Sequence, residues 1–391
     1  MSIKLNKVTI HDLKSILMLS IGNAFINGTV APNIMITGSP GVGKSSAVYQ
    51  AALAIAQKIG YPVRVIDVRL SCMEYSEVQG IPHNADSGDF YLAPDGTYIS
   101  RKEMIHSRPA WFPVDATEYT ILFFDELTNC SPSVQHAAYR ILLDRTIQNG
   151  DKLPDTCAIV AAGNLKSDKT GAKSLMAAAA NRFAIHLEID NDRLLESFID
   201  YAFENNFKRS LIAYLQWKPT ALNEVMGSED AFPSPRSWEY VNGHLDVFDK
   251  SDYLNTVIAG AIGTAGAIDY EGFREYDGLV PDFKKIRKGE IDFTFEVGAE
   301  QVKWAASTGI TYEIVDMLRT DLGALDEDEF ATLQNEMGNI VKLLDQLPQE
   351  MQIVLFRGLS KQTEIVAKIF KFNTLRSTYS AIANYVSKHI R

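Results

Sequence analysis

The chain has 391 residues, of which 46% are hydrophobic and 22% charged, and its formal net charge is −11. This is the composition of a globular protein too long for one ordinary core, so we expect two or three domains. The acidic charge disfavours a broad nucleic-acid surface, because neutralising phosphates needs clustered lysines and arginines. No apolar run approaches the ~20 residues of a membrane span, no signal core is recognisable, and the cysteines lack metal-ligand spacing. We therefore expect a protein of the reducing cytoplasm.

The first predicted elements are a helix and a strand. Apolar residues at helical spacing predict a helix over residues 9–25, opened by Thr9 or by His11 and Asp12. The apolar run Ile34–Ile36 predicts a short buried strand, and a second helical pattern covers residues 46–56.

The segment between this strand and the second helix has the spacing G-x-x-x-x-G-K-S. In a strand–loop–helix context the spacing predicts a phosphate-binding loop, whose glycines let successive N–H groups point at one spot beside a helix N-terminus. Lys44 can reach the β- and γ-phosphates, and Ser45 can offer its hydroxyl to Mg²⁺. We therefore predict a nucleoside triphosphate site made by Gly38, Ser39, Pro40, Gly41, Val42, Gly43, Lys44, Ser45 and Ser46.

A second predicted strand, residues 63–68, is followed by a long irregular stretch over residues 71–115. A stretch of this length is more often functional than structureless. Within it, the turn signature Pro94-Asp95-Gly96 predicts a small β-hairpin between residues 89–93 and 97–100.

The apolar run of residues 120–124 predicts a central parallel strand, and Asp125 and Glu126 follow at its carboxyl end. Ligands bind at that end of open α/β sheets. Asp125 is placed to hold Mg²⁺, and Glu126 is placed to polarise a water for attack on the γ-phosphate. The alternative, a solvated acidic turn, is disfavoured by the phosphate-binding loop upstream.

After a predicted helix over residues 133–143, strand-like segments at 144–147 and 156–162 flank a polar turn. The second segment leads to Asn164, which could position the attacking water or serve as a plain turn residue. A small-residue helix then presents Arg182 just before another strand, residues 184–187. Its charge must reach solvent, a carboxylate or a phosphate, and a surface ion pair is the simpler alternative.

Strands are no longer predicted after residue 190. Residues 191–216 have a helical pattern, and a loop at 232–238 opens a further helix with Arg236 in its first turn. Arg236 would point towards the sheet if this helical unit folds over the nucleotide. Residues 258–267 are predicted as one helix, and residues 280–391 as mostly helical without recognisable chemistry.

The order of these motifs resembles the AAA+ ATPases over residues 10–245, and within them the MoxR-like branch. Residues 77–82, followed by the hairpin and residues 109–113, are similar to the helix-2 insert of that branch. A second similarity is the run Asp125–Asn129 with Val134-Gln135, which is similar to the branch's "DE-L-N-R…VQ-A-L" run. A third is the hairpin before Asn164, which is similar to the branch's pre-sensor-1 insertion. The chain departs from the family pattern at Cys130, Leu165 and Asn181.

The resemblance implies roles for individual residues. Gly38, Gly43, Lys44 and Ser45 match Walker A, Asp125 and Glu126 match Walker B, Asn164 matches sensor 1, and Arg236 matches sensor 2. Arg182 matches the arginine finger that reaches a neighbouring subunit's γ-phosphate, with Arg140 and Arg145 as rival candidates.

The resemblance also implies an α/β fold with a P-loop AAA+ parallel sheet flanked by helices, followed by an α-helical lid and a mostly helical C-terminal region. We expect the nucleotide-binding domain over residues 1–190, with a helix-2 insert at about 71–115 and a pre-sensor-1 hairpin at about 144–162. The lid is expected over 191–283 and a helical region of unknown role over 284–391.

The function implied is that of a Mg²⁺- and ATP-dependent hydrolase in a homo-oligomeric, hexameric ring, in the cytoplasm of a bacterial or phage-infected cell. Its output would be chaperone-like remodelling of a protein client or of a von Willebrand factor A-type partner. One alternative is a nucleic-acid motor, for which Lys166, Lys169 and Lys173 are the basic patch. Another is a nucleotide-gated assembly subunit, in which hydrolysis only resets the state.

Overall fold

A computed structural model of the chain describes residues 6–165, 180–223, 231–248, 251–296, 298–360 and 363–389. The chain divides into two compact units, Met1–Ser197 and Phe198–Arg391. All strands of the described residues belong to the first unit, and the second unit is helical.

The first unit alternates strands and helices. Its elements are β1 (Lys7–Val8), α1 (Ile10–Asn27), β2 (Ile34–Thr37), α2 (Lys44–Ile59), β3 (Val63–Arg69), α3 (Tyr75–Gln79), β4 (Pro82–Leu92), β5 (Tyr98–His106), β6 (Tyr119–Asp125), α4 (Pro132–Asp144), β7 (Cys157–Gly163) and β8 (Ile185–Ile189).

Six of these strands form one sheet in the order β1-β8-β2-β7-β6-β3, and every neighbouring pair is parallel. All seven residues of β7 are buried, as in a central strand covered on both faces. Because the strands run in the same direction, their carboxyl ends lie along one edge. The predicted parallel P-loop sheet is therefore confirmed.

The first helix begins where the sequence predicts. The Thr9 hydroxyl accepts a hydrogen bond from the Asp12 backbone at 3.1 Å, and the Asp12 carboxylate accepts one from the Thr9 backbone at 3.3 Å. This reciprocal pair satisfies two N–H groups that the helix itself leaves free. Gly28 ends the helix at a φ of 63°, a left-handed conformation that favours glycine.

The hairpin in the irregular stretch is longer than predicted. β4 and β5 pair along Pro82–Leu92 and Tyr98–His106, whereas the sequence predicted strands only at 89–93 and 97–100. Most of the hairpin is exposed, so neither face requires the apolar–polar alternation by which strands are recognised. The exposed side chains include Phe90, Leu92 and Tyr98 near the tip.

The hairpin expected over residues 144–162 is much reduced. Asp144 is the last residue of α4, and Arg145 ends that helix at a φ of 56°. Residues 157–163 belong to the central sheet, so the antiparallel pairing is limited to one bridge between Thr146 and Lys152. The strand-like composition of residues 156–162 therefore reports a parallel strand, not one arm of a hairpin.

The second unit begins within α5 (Leu194–Glu204) and contains only helices. They are α6 (Arg209–Trp217), α7 (Pro235–Phe248), α8 (Leu254–Ile262), α9 (Thr264–Asp277), α10 (Phe283–Arg287), α11 (Glu300–Arg319), α12 (Glu327–Leu344), α13 (Gln349–Ser360), α14 (Thr363–Ile369) and α15 (Asn373–His389). The single helix predicted over 258–267 is wrong: Gly263, at a φ of 82°, separates α8 from α9.

The regions predicted as lid and C-terminal region lie in one compact unit, where α6 packs against α11. The acidic run at 326–329 has a structural role, because Asp326 caps α12 by accepting the Glu329 backbone N–H at 2.8 Å. Among the described helices, none is both long and apolar enough to cross a membrane.

We predict that Gly309→Ala destabilises the second unit. A Cβ at Gly309 would lie 2.1 Å from Cε2 of Phe283, a buried side chain of that unit's core. Overpacking costs about 1–3 kcal/mol, which exceeds the ~0.5–1 kcal/mol that alanine gains over glycine inside a helix. Urea unfolding of the full chain measures the change.

Gly338→Ala is the matched control for this prediction. Gly338 is also inside a helix, α12, but an added Cβ there meets nothing within 4 Å. It should raise the free energy of unfolding by about 0.5–1 kcal/mol. Equal effects of the two substitutions would contradict the close approach at Gly309.

Candidate active site

The polar residues singled out in the sequence lie mostly at the carboxyl edge of the sheet. β2 leads into the loop that ends at Lys44, β6 ends at Asp125, and β7 is followed by Asn164. β3, the neighbour of β6, leads into Ser71, which the sequence analysis did not single out.

The loop after β2 curls because of its glycines. Gly41 and Gly43 have φ values of 73° and 97°, in the left-handed region that other residues rarely adopt. The Gly38 backbone donates to the Gly163 carbonyl at 3.2 Å, and a Cβ at Gly38 would lie 2.9 Å from Ile189. Gly43 precedes α2 and has no side chain to cover its first N–H groups. The loop therefore presents backbone donors and a helix N-terminus, which suit an anion.

Lys44 connects this loop to the end of β7. Its buried ammonium group donates to the carbonyls of Gly38 at 2.7 Å and Ser39 at 2.9 Å. It also donates to Oδ1 of Asn164 at 3.1 Å. A buried charge is tolerated only when hydrogen-bonded, and these acceptors hold the ammonium group within the loop. The sequence-predicted Lys44 and Asn164 are thus brought together.

Ser45 and Asp125 also meet, with the Ser45 hydroxyl donating to Oδ2 of Asp125 at 3.1 Å. A hydroxyl and a carboxylate at a phosphate-binding loop suit Mg²⁺, which is commonly held by one or two carboxylates plus substrate phosphates. In the part of the chain that the structure describes, no group of three or more His, Cys, Asp or Glu side chains could hold a metal by itself. The donor set therefore fits a nucleotide-bound magnesium better than a fully protein-ligated metal.

Glu126 is held in an uncommon backbone conformation beside Asp125. Its φ of 57° is left-handed, and its backbone N–H donates to Oδ1 of Asp125 at 2.8 Å. The Ser71 hydroxyl donates to Oε2 of Glu126. Strained backbone of this kind is concentrated at functional sites. Ser71 was not recognisable from the sequence, since only the pairing of β3 with β6 brings it to Glu126.

A further carboxylate, Asp67, lies on the same face of the sheet. Partial burial raises the pKa of Asp67, and the negative charge of Asp125 raises it further. Burial also raises the pKa of Tyr49, and the negative charge of the neighbouring Asp67 raises it further. The raised values reflect an acidic corner made by Asp67, Asp125 and Glu126, an environment that favours a nearby cation. The sequence signal for Asp67 was a carboxylate within a strand rich in β-branched residues.

Asn164 is positioned from behind by Thr128. The Thr128 hydroxyl accepts the Asn164 backbone N–H at 2.9 Å and donates to Oδ1 of Asn129 at 3.0 Å. A Cβ at Gly163 would lie 2.5 Å from Cγ2 of Thr128, so only glycine fits between them. This close packing orients the Asn164 amide towards Lys44.

Arg182 lies at the opposite, amino edge of the sheet. Its carbonyl accepts a hydrogen bond from Nδ2 of Asn33 at 3.1 Å, and Asn33 directly precedes β2. At about 3.3 Å per residue, β2 separates Asn33 from Gly38 by roughly 16 Å, farther than an arginine side chain extends. The exposed guanidinium has no ion-pair partner among the described residues. It does not reach the phosphate-binding loop of its own chain.

The two rival arginines differ in availability. Arg145 donates to the carbonyls of Pro154 at 2.8 Å and Cys157 at 2.6 Å, and burial lowers its pKa. It is therefore used within its own unit, which makes it a poor candidate for reaching another subunit. Arg140 is exposed on α4 and donates to Gln148.

Arg236 lies in the second unit, in the first turn of α7. Its predicted contact with the nucleotide remains a prediction. Lys166, Lys169 and Lys173, the basic patch considered for nucleic acid, lie outside the described residues.

Comparisons with known proteins give one family model and several solved structures. A family model described as an AAA domain of the dynein-related subfamily matches residues 33–183. Among solved structures, the chain is similar to the Thermotoga maritima RuvB Holliday junction branch migration motor, with 18% identity over 76% of this chain and 81% of that chain and a TM-score of 0.33. It is also similar to the Aeropyrum pernix ORC2 protein in ADPNP-ADP complexes, with 11% identity over 92% and 94% and a TM-score of 0.38. A comparison with curated proteins finds no match.

We predict that Thr128→Val slows ATP hydrolysis through Asn164. Valine keeps the shape but leaves the Asn164 N–H without its 2.9 Å acceptor, at a cost of about 1–3 kcal/mol. A loss of this size in the transition state corresponds to a fall in kcat of roughly 5- to 150-fold. Steady-state ATPase assays measure it. Thr128→Ser keeps the hydroxyl and should retain most of the activity; equal rates for the two variants would contradict the role of the hydroxyl.

Proposed function

We propose that the chain is an AAA+ ATPase of MoxR type that forms a ring and couples Mg²⁺-dependent ATP hydrolysis to the remodelling of a protein partner. The observation that carries the ring is the position of Arg182, at the edge of the sheet opposite to the loop containing Lys44. The match of the family model to residues 33–183 supports the hydrolysis.

Within one subunit, each proposed role follows from the contacts described above. Ser45 and Asp125 would hold Mg²⁺, which would supply charge neutralisation at the phosphates. Glu126 takes a proton from the attacking water, and Ser71 restrains its carboxylate. Lys44 and Asn164 contact the γ-phosphate and the water from the other side. Arg236 keeps its proposed role as sensor 2, a residue that contacts the phosphates.

The remaining charge is supplied by a neighbouring subunit. Arg182 is exposed, has no ion-pair partner among the described residues, and cannot reach its own loop. An arginine that stabilises the transition state from another subunit is worth about 10³–10⁵ in rate. A lone subunit should therefore hydrolyse ATP slowly, and assembly should activate it.

The β4–β5 hairpin supports a protein as the partner. An isolated two-stranded hairpin is only marginally stable in water, and this one exposes 65% of Phe90, 61% of Leu92 and 76% of Tyr98. Exposed aromatic and aliphatic side chains on a β-ribbon suit contact with a polypeptide. A von Willebrand factor A-type protein is the partner that the sequence resemblance suggests.

We predict that two inactive variants restore hydrolysis when mixed. Glu126→Gln cannot activate water but keeps Arg182, whereas Arg182→Ala keeps an intact site but offers no arginine. A 1:1 mixture pairs intact halves at about one interface in four, so about a quarter of the wild-type rate should return. Phosphate release after mixing measures it.

The control is a mixture of Glu126→Gln with the double variant that carries both substitutions. This mixture should stay inactive, because neither of its components has an unaltered Glu126. If the dilute monomer hydrolysed ATP at the full rate, the proposed role of Arg182 in a neighbouring site would be contradicted.

We also predict that the hairpin tip determines partner capture. With ATP bound, Glu126→Gln should retain its protein partner, and adding Leu92→Ser and Tyr98→Ser should reduce capture severalfold because the apolar contact is lost. Quantitative affinity capture from the native host measures this. Val247→Ser, which changes a side chain that is 71% exposed in the second unit, is the control.

Two outcomes would replace the proposal. Hydrolysis stimulated by DNA or RNA, with salt-dependent binding, would favour the nucleic-acid motor. Full biological function of the Glu126→Gln variant would instead favour a nucleotide-gated assembly subunit.

A further inference from the structure

An exposed, partly apolar surface borders the acidic corner of the first unit. It consists of Tyr49 and Leu53, one turn apart on α2, and Asp67 on β3; we call it the edge patch. Tyr49 is 43% exposed and Leu53 67% exposed. β3 is the last strand of the six-stranded sheet, so no further strand of the described residues lies beyond it. Asp67 lies close enough to Tyr49 for its negative charge to raise the pKa of the Tyr49 hydroxyl, after the larger effect of burial.

The charges around the edge patch are predominantly negative. Asp67 and Asp125 share one face of the paired strands β3 and β6, and Glu126 follows Asp125. Arg69, on the same face, is the cation that counters them. Three carboxylates against one guanidinium leave this corner acidic, and it adjoins the phosphate-binding loop through Ser45 and Asp125.

The amino edge of the same sheet, where the strands begin, has a complementary surface. Nδ2 of Asn33 donates to the carbonyls of both Leu142 and Arg182, which places the end of α4 beside Arg182. Arg140 and Leu143, near the end of α4, are exposed, and Leu143 is 50% exposed. Two arginines and an aliphatic side chain thus lie at this edge, with the exposed Asp144 as the nearby acid at the end of α4.

We propose that the edge patch is the docking surface for a second copy of this chain, whose Arg140 pairs with Asp67 while its Leu143 packs against Tyr49 and Leu53. This inference rests on the proposed ring and specifies the contact that closes it. An interface between two unlike surfaces of one molecule is head-to-tail, and such interfaces close into rings when the rotation between neighbouring copies closes. Because Arg140 of the incoming copy pairs with the Asp67 carboxylate, Arg182 of that copy remains available to contact the phosphates. A guanidinium and a carboxylate form a strong paired hydrogen bond, which sets the register of the interface.

A charge-swap experiment tests the pair. Asp67→Arg and Arg140→Asp are each measured in the full chain by sedimentation velocity with Mg²⁺ and a non-hydrolysable ATP analogue. Each single variant should raise the concentration needed for assembly by about tenfold or more, because like charges then meet. The double variant restores the pair in reversed polarity and should assemble within about threefold of the wild type. Arg64→Glu, an exposed charge reversal at the other end of β3, is the matched control and should assemble normally.

Each outcome decides a different statement. If both single variants assemble like the wild type, or the double is no better than the singles, the Asp67–Arg140 pair is overturned and the ring stands. A wild-type chain that stays monomeric at every concentration overturns the ring itself, and the pair with it. Thermal unfolding shows whether the Asp67→Arg variant is folded. If that variant is unstable, the test is whether adding Asp67→Arg restores assembly to Arg140→Asp, because a substitution that only damaged folding could not restore it.

Discussion

Parallel pairing of β2, β7, β6 and β3 is the constraint on which the active site depends. Strands that run the same way end at the same edge, so residues far apart in the chain meet there. Lys44 and Asn164 are 120 positions apart, and Ser45 and Asp125 are 80 apart, yet both pairs are hydrogen-bonded. A register shift of one residue would turn Asp125 to the other face of the sheet, so the apolar cores of these strands also specify the chemistry.

The same polarity gives the first unit two unlike edges. The carboxyl edge has the phosphate-binding loop and an excess of carboxylates, and the amino edge has Arg182 and Arg140. In the arrangement that we propose, Arg182 completes the site of another copy, and hydrolysis would then depend on an interface as well as on nucleotide.

The polar contacts behind the site are as informative as the residues that face the phosphates. Thr128 fixes Asn164, and Ser71 restrains Glu126, so both side chains proposed to handle the attacking water are oriented by a hydroxyl. Gly163 leaves the space that Thr128 fills. Groups of this kind hold catalytic geometry without touching the substrate, which is why exchanging a hydroxyl for a methyl group is informative.

Local sequence determined the phosphate-binding loop, the strand that ends in Asp125 and Glu126, and the helix opened by Thr9, because glycine conformation, apolar runs and caps act within a few residues. It also indicated a parallel sheet followed by helices. It did not predict the length of the β4–β5 hairpin, whose exposed faces have no periodicity, or the limited pairing at Thr146 and Lys152.

Only the tertiary structure decided which hydroxyls support the site, that Arg145 is used internally, and that Arg182 lies at the far edge of the sheet. Those facts depend on strand order and register, which arise from packing between segments distant in the chain.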